Sequence, residues 1–234
     1  MTGTTDETNA ARPPHDADDR PTHDGELLRA VRGALLERHT SDVQRRLDDA
    51  HVAVAGLGGL GSTVAVALAR IGVGHLHLVD FDRVDMTNLN RQQYFLTDVG
   101  RYKTEALRDI VARINPFLDV TTDTLKVTED RVPELFAHDD IVCEAFDVPE
   151  NKTMLVDAVL GSLPDTTVVA ASGMAGWRSA NLVTTRRIAR RFYLCGDGET
   201  APTPGAGLMA PRVGVVACHE ANMIVRLILG ETEP

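Results

Sequence analysis

Three glycines spaced G-x-G-x-x-G, Gly56, Gly58 and Gly61, end the apolar run HVAVA and open the helical-looking segment LGSTVAVALARIG. A strand that feeds a helix through such glycines cradles nucleotide phosphates. The first permits a tight turn, the second lets the backbone approach a phosphate, and the third lets helix and strand pack closely. The helix N-terminus adds unpaired N–H groups and a partial positive charge. A second apolar run, HLHLVDFD, reaches Asp80 nineteen residues after Gly61. That is the spacing of a carboxylate that accepts hydrogen bonds from ribose hydroxyls. Strand, glycines, helix, strand and acid in this order predict a bound adenine nucleotide. A glycine-rich turn that only packs is the bland alternative.

The segment DFDRVDMTNLNRQ then supplies Asp80, Asp82, Asn88, Arg91 and Gln92, and Lys103 follows eleven residues later. In a doubly wound sheet ligands sit beyond the carboxyl ends of the strands, so this segment hangs over the glycine loop. A dehydrogenase needs the acid but has no use for the two cations. An Arg fork and a Lys point charge suit a triphosphate and the charge that builds as a phosphoryl bond breaks. Read in isolation, Arg91 and Lys103 would be surface charges. A fourth apolar run, DIVCEAFD, ends at Asp147. A carboxylate there can hold Mg²⁺ together with phosphate oxygens, or it can cap the helix that starts at Pro149.

The elements that must position these groups alternate along the chain. Strands are expected near 51–56, 75–80, 118–124, 139–144 and 166–172. Helices are expected near 60–72, 99–115, 129–137, 149–162 and 208–230. Strict alternation predicts an α/β fold, a Rossmann-like doubly wound, mostly parallel sheet with helices on both faces. The runs at 139–144 and 166–172 are almost wholly apolar, as strands covered on both faces must be. Residues 26–49 read as two amphipathic pieces split near His39, with Thr40 or Ser41 as cap. Residues 179–194 suggest one or two short strands. Residues 195–207, CGDGETAPTPGAG, form a Gly/Pro-rich loop expected to cover a bound tail on glycine hinges. Trp177 and the Gly173–Gly176 turn are expected to line that channel. Met209, Met223, Leu227 and Ile228 form an apolar stripe expected in the core or at a dimer contact.

Composition narrows the class. The chain has 234 residues, 43% of them apolar, and a net charge of −10. Such charge disfavours nucleic acid as a partner. No apolar run approaches the roughly 18 residues of a membrane span. Three scattered cysteines, Cys143, Cys195 and Cys218, fit a reducing cytoplasm. Without a C-x-x-C pair no structural zinc is expected. Residues 1–24 read as a disordered acidic tail, where a metal site around His15, His23, Asp16, Asp18, Asp19 and Asp24 is the minor alternative. Residues 25–234 read as one domain.

These stretches carry a resemblance. GLGGLGS, VDFDRVDMTNLNRQQYF, GRYKTEALRDIVARINPF and EAFDVPENKTML resemble the E1-like activating enzymes, which include ThiF, MoeB and HesA proteins. The later stretches FYLCGDGE and GLMAPRVGVVACHEANMIVRLILG look most like the short, zinc-free ThiF branch. The likeness spans roughly residues 30–230. It implies a homodimeric, ATP- and Mg²⁺-dependent adenylyltransferase. Its substrate would be the C-terminal Gly-Gly carboxylate of a ubiquitin-like sulfur carrier such as ThiS, in thiamine thiazole synthesis.

Carried over by position, Gly56, Gly58, Gly59 and Gly61 match the glycine loop and Asp80 the ribose acid. Asn88, Arg91 and Lys103 match the triphosphate contacts, and Asp147 the magnesium acid. Arg38, or else Arg45 or Arg46, would be an arginine that reaches into the partner's site. Some relatives capture the carrier on a loop cysteine, which makes Cys195 and Cys218 candidates, although both read as buried or incidental. Val148 stands where many relatives have Asn, so that contact is lost. The rival readings are a nicotinamide-dependent oxidoreductase, another carrier of the same superfamily, and a nucleotide-binding scaffold without catalysis.

Overall fold

The computed structural model describes residues 24–234. Apart from Asp24, the acidic tail and its histidines lie outside the described residues. The strands are β1 (His51–Ala55), β2 (His75–Val79), β3 (Asp119–Asp123), β4 (Ile141–Glu144), β5 (Thr167–Ala171), β6 (Thr184–Ala189) and β7 (Phe192–Gly196). The helices are α1 (Asp24–Arg38), α2 (Ser41–Asp48), α3 (Gly59–Ile71), α4 (Lys103–Ile114), α5 (Val132–Leu135), α6 (Pro149–Ser162) and α7 (Ala210–Ile228). One seven-stranded sheet results, in the order β3-β2-β1-β4-β5-β7-β6. All pairs are parallel except the edge pair β6–β7. The expected α/β fold is therefore the observed one, and the short strands after residue 179 close one edge as an antiparallel hairpin.

Successive residues of a strand face opposite sides, and β1 shows why the sheet is covered twice. Val52 and Val54 enter a core built with Leu47 of α2, Val64 and Leu68 of α3, Leu107 of α4 and Val216 of α7. Ala53 and Ala55 enter a second core with Val132 and Phe136 around α5 and Leu155 and Val159 of α6. All four β1 residues are fully buried. Met223 of the C-terminal stripe lies in the first core at 1% exposure, while Met209 precedes α7 as its cap residue. The break between α1 and α2 falls where expected, and the Thr40 hydroxyl accepts from Val43 N–H.

Three boundaries differ from expectation. α4 starts at Lys103 rather than near 99, because the preceding residues pair backwards: Val84 N–H donates to Arg101 O at 2.9 Å and Lys103 N–H to Asp82 O at 3.0 Å. The helix expected over 129–137 is a 3₁₀ turn followed by the single turn α5. Cys195 and Gly196 belong to β7, so the loop after it runs from 197 to 209.

Beneath the second core, His77 of β2 is held between two acids. Its Nδ1 lies 2.9 Å from Asp139 Oδ2 and its Nε2 2.9 Å from Asp123 Oδ2. Burial disfavours the imidazolium, but the hydrogen bond and charge of Asp139, then those of Asp123, outweigh it and raise the pKa. A raised folded-state pKa means stability fully present below about pH 6.5, the unfolded value, and lost as pH rises through the folded value. Urea unfolding should therefore show the wild type losing stability above pH 6.5 more steeply than His77→Gln. Equal slopes would remove His77 as the source.

Candidate active site

The sheet order reverses between β1 and β4, and the crevice there holds the site, as the topology of open α/β sheets requires. Gly56 leaves β1 with φ +92°, where a side chain is strained, and its Cβ would lie 2.8 Å from the Ala145 carbonyl oxygen beyond β4. A Cβ on Gly61 would collide with the Gly56 carbonyl oxygen. One on Gly59 would press on Val213 of α7 and on Arg91. Gly58 caps α3 and offers no side chain to its first N–H groups, which are thus left for an anion. A cleft of about 700 Å³ opens over this loop.

Asp80 and Asp82 behave differently. Asp80 is 8% exposed. Its Oδ2 accepts Leu57 N–H at 2.6 Å, and its Oδ1 accepts Asp82 N–H at 2.8 Å. It ties the glycine loop to the end of β2. The Asp82 side chain is 49% exposed and lines the cleft. Lys103, at the start of α4, is nearly buried, with Nζ 2.8 Å from Asp82 Oδ2 and 3.8 Å from Asp80 Oδ2. Tyr94 completes this support: its hydroxyl donates to Leu57 O at 2.8 Å. Burial, then the charges of Asp80, Asp98 and Asp82, push the Tyr94 phenol well above its usual range and keep it a donor.

Asn88, Arg91 and Gln92 line the same cleft. Asn88 Oδ1 accepts Asp85 N–H, which leaves its amide N–H groups for a ligand. Arg91 donates from Nη1 to Thr87 O and Asn90 Oδ1; its other N–H groups have no partner among the described residues. Gln92 is 8% exposed, and its Oε1 has no hydrogen-bond partner among the described residues. Asp147 is exposed on the cleft wall. The capping alternative fails here, since Val148 is the cap residue of α6 and no side chain caps that helix. One free carboxylate fits Mg²⁺, which takes one or two carboxylates plus phosphate oxygens.

Lys152 stands five residues after Asp147 in EAFDVPENKTML, where no spacing rule marks it from sequence. It also lines the cleft. Its Nζ donates to Phe146 O at 3.0 Å and forms an ion pair at 2.7 Å with Glu144 Oε2, outside hydrogen-bond geometry. Gly173, Met174 and Gly198–Pro202 form the far wall. Trp177 does not join them and stands 71% exposed.

Cys195 is buried as expected, and Cys218 is not. Cys195 lies in β7, not in a loop, and its thiol is pushed up to about 12, first by burial and then by the Glu220 charge. Cys218 is exposed on α7 rather than buried and does not line the cleft. Arg38 is outside the cleft of its own chain and has no partner among the described residues. By contrast, Arg45 pairs with Asp42 and Asp49, and Arg46 with Asp42. No helix among the described residues is long and apolar enough to cross a membrane.

Comparison with known proteins bears on the family and the fold. The family model for ThiF matches residues 31–234. A molybdopterin-synthase adenylyltransferase of Escherichia coli (strain K12) is 33% identical over 216 residues, 90% of this chain and 86% of the relative. A sulfur carrier protein ThiS adenylyltransferase of the same organism is 29% identical over 91% of this chain and 85% of the relative. Among solved structures, the E. coli tRNA N6-threonylcarbamoyladenosine dehydratase in complex with ATP superposes with a TM-score of 0.79. It is 23% identical and covers 86% of this chain and 95% of that one, a likeness of fold.

Proposed function

The chain belongs to the ThiF family, and on that premise we propose that it adenylates the C-terminal carboxylate of a ubiquitin-like sulfur carrier at the expense of ATP. The observation that carries this reading is the nearly buried Lys103 beside Asp82, with Arg91 packed against Gly59 of the glycine loop in the same cleft. Two cations beyond a nucleotide loop answer a triphosphate and leave the oxidoreductase reading without support.

The carrier's terminal carboxylate is already ionised near pH 7, so no general base is needed. One of its oxygens bonds to the α-phosphorus while the α–β bridging bond breaks, and the electron pair leaves on pyrophosphate. The obstacle is repulsion between anions and the charge of the leaving group, so catalysis is positional and electrostatic. Arg91 and Lys103 meet that charge, and the Asn88 amide orients phosphate oxygens without adding charge. Asp147 would hold Mg²⁺, which supplies further charge neutralisation when bound. Asp80 is the ribose acid in this reading: each of its oxygens accepts one backbone N–H and keeps a further lone pair, and both Asp80 and Asp82 line the cleft.

The finer reading is a ThiS-type carrier and thiazole synthesis in the cytoplasm, supported by the stretches FYLCGDGE and GLMAPRVGVVACHEANMIVRLILG. A molybdopterin-type carrier is the second reading, favoured by the 33% identity to a molybdopterin-synthase adenylyltransferase. We also place a homodimer here, with residues 25–234 as one domain. Leu27, Leu28 and Leu36 are exposed along α1, and the free Arg38 at its end is the arginine offered to the partner's site.

The test is ATP–pyrophosphate exchange with purified Gly-Gly-ended carriers of both types. Exchange that depends on one carrier and on its last glycine is the expected result. ATP binding without exchange on any carrier would leave a scaffold, and NADH binding in the cleft would restore the redox reading.

A further inference from the structure

The far wall of the cleft has no helix or strand of its own, yet one buried ion pair organises it. The Asp197 carboxyl and the Arg212 guanidinium are each 4% exposed and meet at 2.5 Å. Asp197 lies just past β7. Its Oδ1 accepts the N–H groups of Glu199 and Thr200, and its Oδ2 accepts the Thr200 hydroxyl and Arg212 Nη2. Burial pushes this carboxyl up, but the Thr200 and Glu199 N–H groups, the Thr200 hydroxyl and Arg212 together hold it well below the usual carboxylate range.

Arg212 is in the first turn of α7. Its Nη1 donates to the carbonyls of Arg178 and Ser179, at 2.5 and 2.8 Å, in the segment that follows β5. Three separate parts of the chain thus meet at one charge pair. The two loops are also laced by backbone bonds: Asp197 N–H to Gly173 O, Gly198 N–H to Ser172 O, and Met174 N–H to Thr200 O. Gly173 has φ +83°, and a Cβ there would strike Asp197 Oδ1.

Stability alone does not account for this placement. A cation in the first turn of a helix opposes the helix dipole. A buried ion pair is often no more stabilising than apolar residues of the same size. Arg212 Nε is buried without a partner among the described residues, a further cost. What the pair does secure, together with those backbone bonds, is the position of Gly198–Pro202 in a 13-residue loop over 197–209 that has no helix or strand of its own.

We propose that Asp197 and Arg212 are positioning residues for the carrier. They hold the wall along which the carrier's extended C-terminal segment lies, and they act without touching it or the nucleotide. The inference rests on the carrier reading above. A wall that is already ordered spares the binding step the cost of ordering it.

The test uses the full chain with a Gly-Gly-ended carrier and compares Arg212→Met, Arg212→Lys and Asp197→Asn with wild type. Exchange kinetics and direct ATP titration are both recorded. In Arg212→Met the carrier KM rises by about tenfold or more, as lost preordering implies, while ATP affinity stays within about twofold of wild type, a change of only a few tenths of a kcal/mol. Arg212→Lys falls between, because Lys keeps the charge but not the fork that bridges carboxylate and carbonyls. Should Arg212→Met not fold, Asp197→Asn decides: its Oδ1 still serves the loop N–H groups, and the Arg212 pair is lost. Amide exchange should quicken at 198–202 in the same variants. An unchanged carrier KM, or ATP affinity falling in step with it, overturns the proposal. Absence of carrier-dependent exchange in the wild type overturns the carrier reading as well.

Discussion

Lys103→Ala lowers carrier-dependent ATP–pyrophosphate exchange by about 10²–10³-fold, the scale of removing one preorganised transition-state contact. The expectation comes from where the ammonium sits. Its side chain is 7% exposed, so the charge is poorly screened by water, and it stands at the first residue of α4 on the cleft wall. Asp82 and Asp80 hold it there in advance, so little reorganisation is needed when phosphate charge develops. Asp80 keeps its two backbone donors in the variant, so the glycine loop is expected to persist. Arg91→Ala should cost a similar factor. The diagnostic split is kinetic: loss in kcat with a modest change in the KM for ATP marks a contact made in the transition state, and loss confined to KM marks uniform binding. Near-wild-type exchange in both variants would end the role given to these cations.

Lys152→Met destabilises the fold by about 3 kcal/mol, the lower end of the 3–5 expected when one member of a buried pair is removed. The lower end applies because the Lys152 side chain is 22% exposed while Glu144 is fully buried. Burial pushes the Glu144 carboxyl up, and the Lys152 charge is the main force that pulls it back. A second acid deepens the dependence. Glu220 of α7 is fully buried, and its Oε2 has no partner among the described residues. Burial raises its carboxyl well above the usual range, and Lys152 again opposes the shift. Removing Lys152 strands one carboxylate in the core, so adding Glu144→Gln should recover most of the loss, a coupling that a double-mutant cycle in urea measures. A single variant within about 0.5 kcal/mol of wild type, the scatter of surface substitutions, would make the pair dispensable.

The wall of the cleft built by the glycine loop and segment 80–92 was legible because its signals are local. Glycines at 56, 58 and 61 are dictated by backbone geometry within one strand–turn–helix unit. The segment 80–92 is short enough for sequence order to place its side chains near one another. Asp80 shows the limit of that logic. Two acids two positions apart look interchangeable in a string of letters, and only the hydrogen bonds of Leu57 and Asp82 N–H show that Asp80 also ties the glycine loop to β2. Cys195 was misplaced for a related reason: the strand β7 is recognised by its pairing with β5, and the glycines just after it suggested that the loop began earlier.

Amino-acid order alone determined the alternation of elements, the doubly covered sheet and the glycine turn, because periodicity and glycine geometry act over a few residues. Tertiary structure decided the partners of buried charges. Lys152 with Glu144, Asp197 with Arg212, and His77 with Asp123 and Asp139 are joined across 8, 15, 46 and 62 residues of chain. No local rule sets such pairs. They follow from which strands and loops the sheet order brings together, and from the free-energy cost of leaving a charge in the core without a counterion.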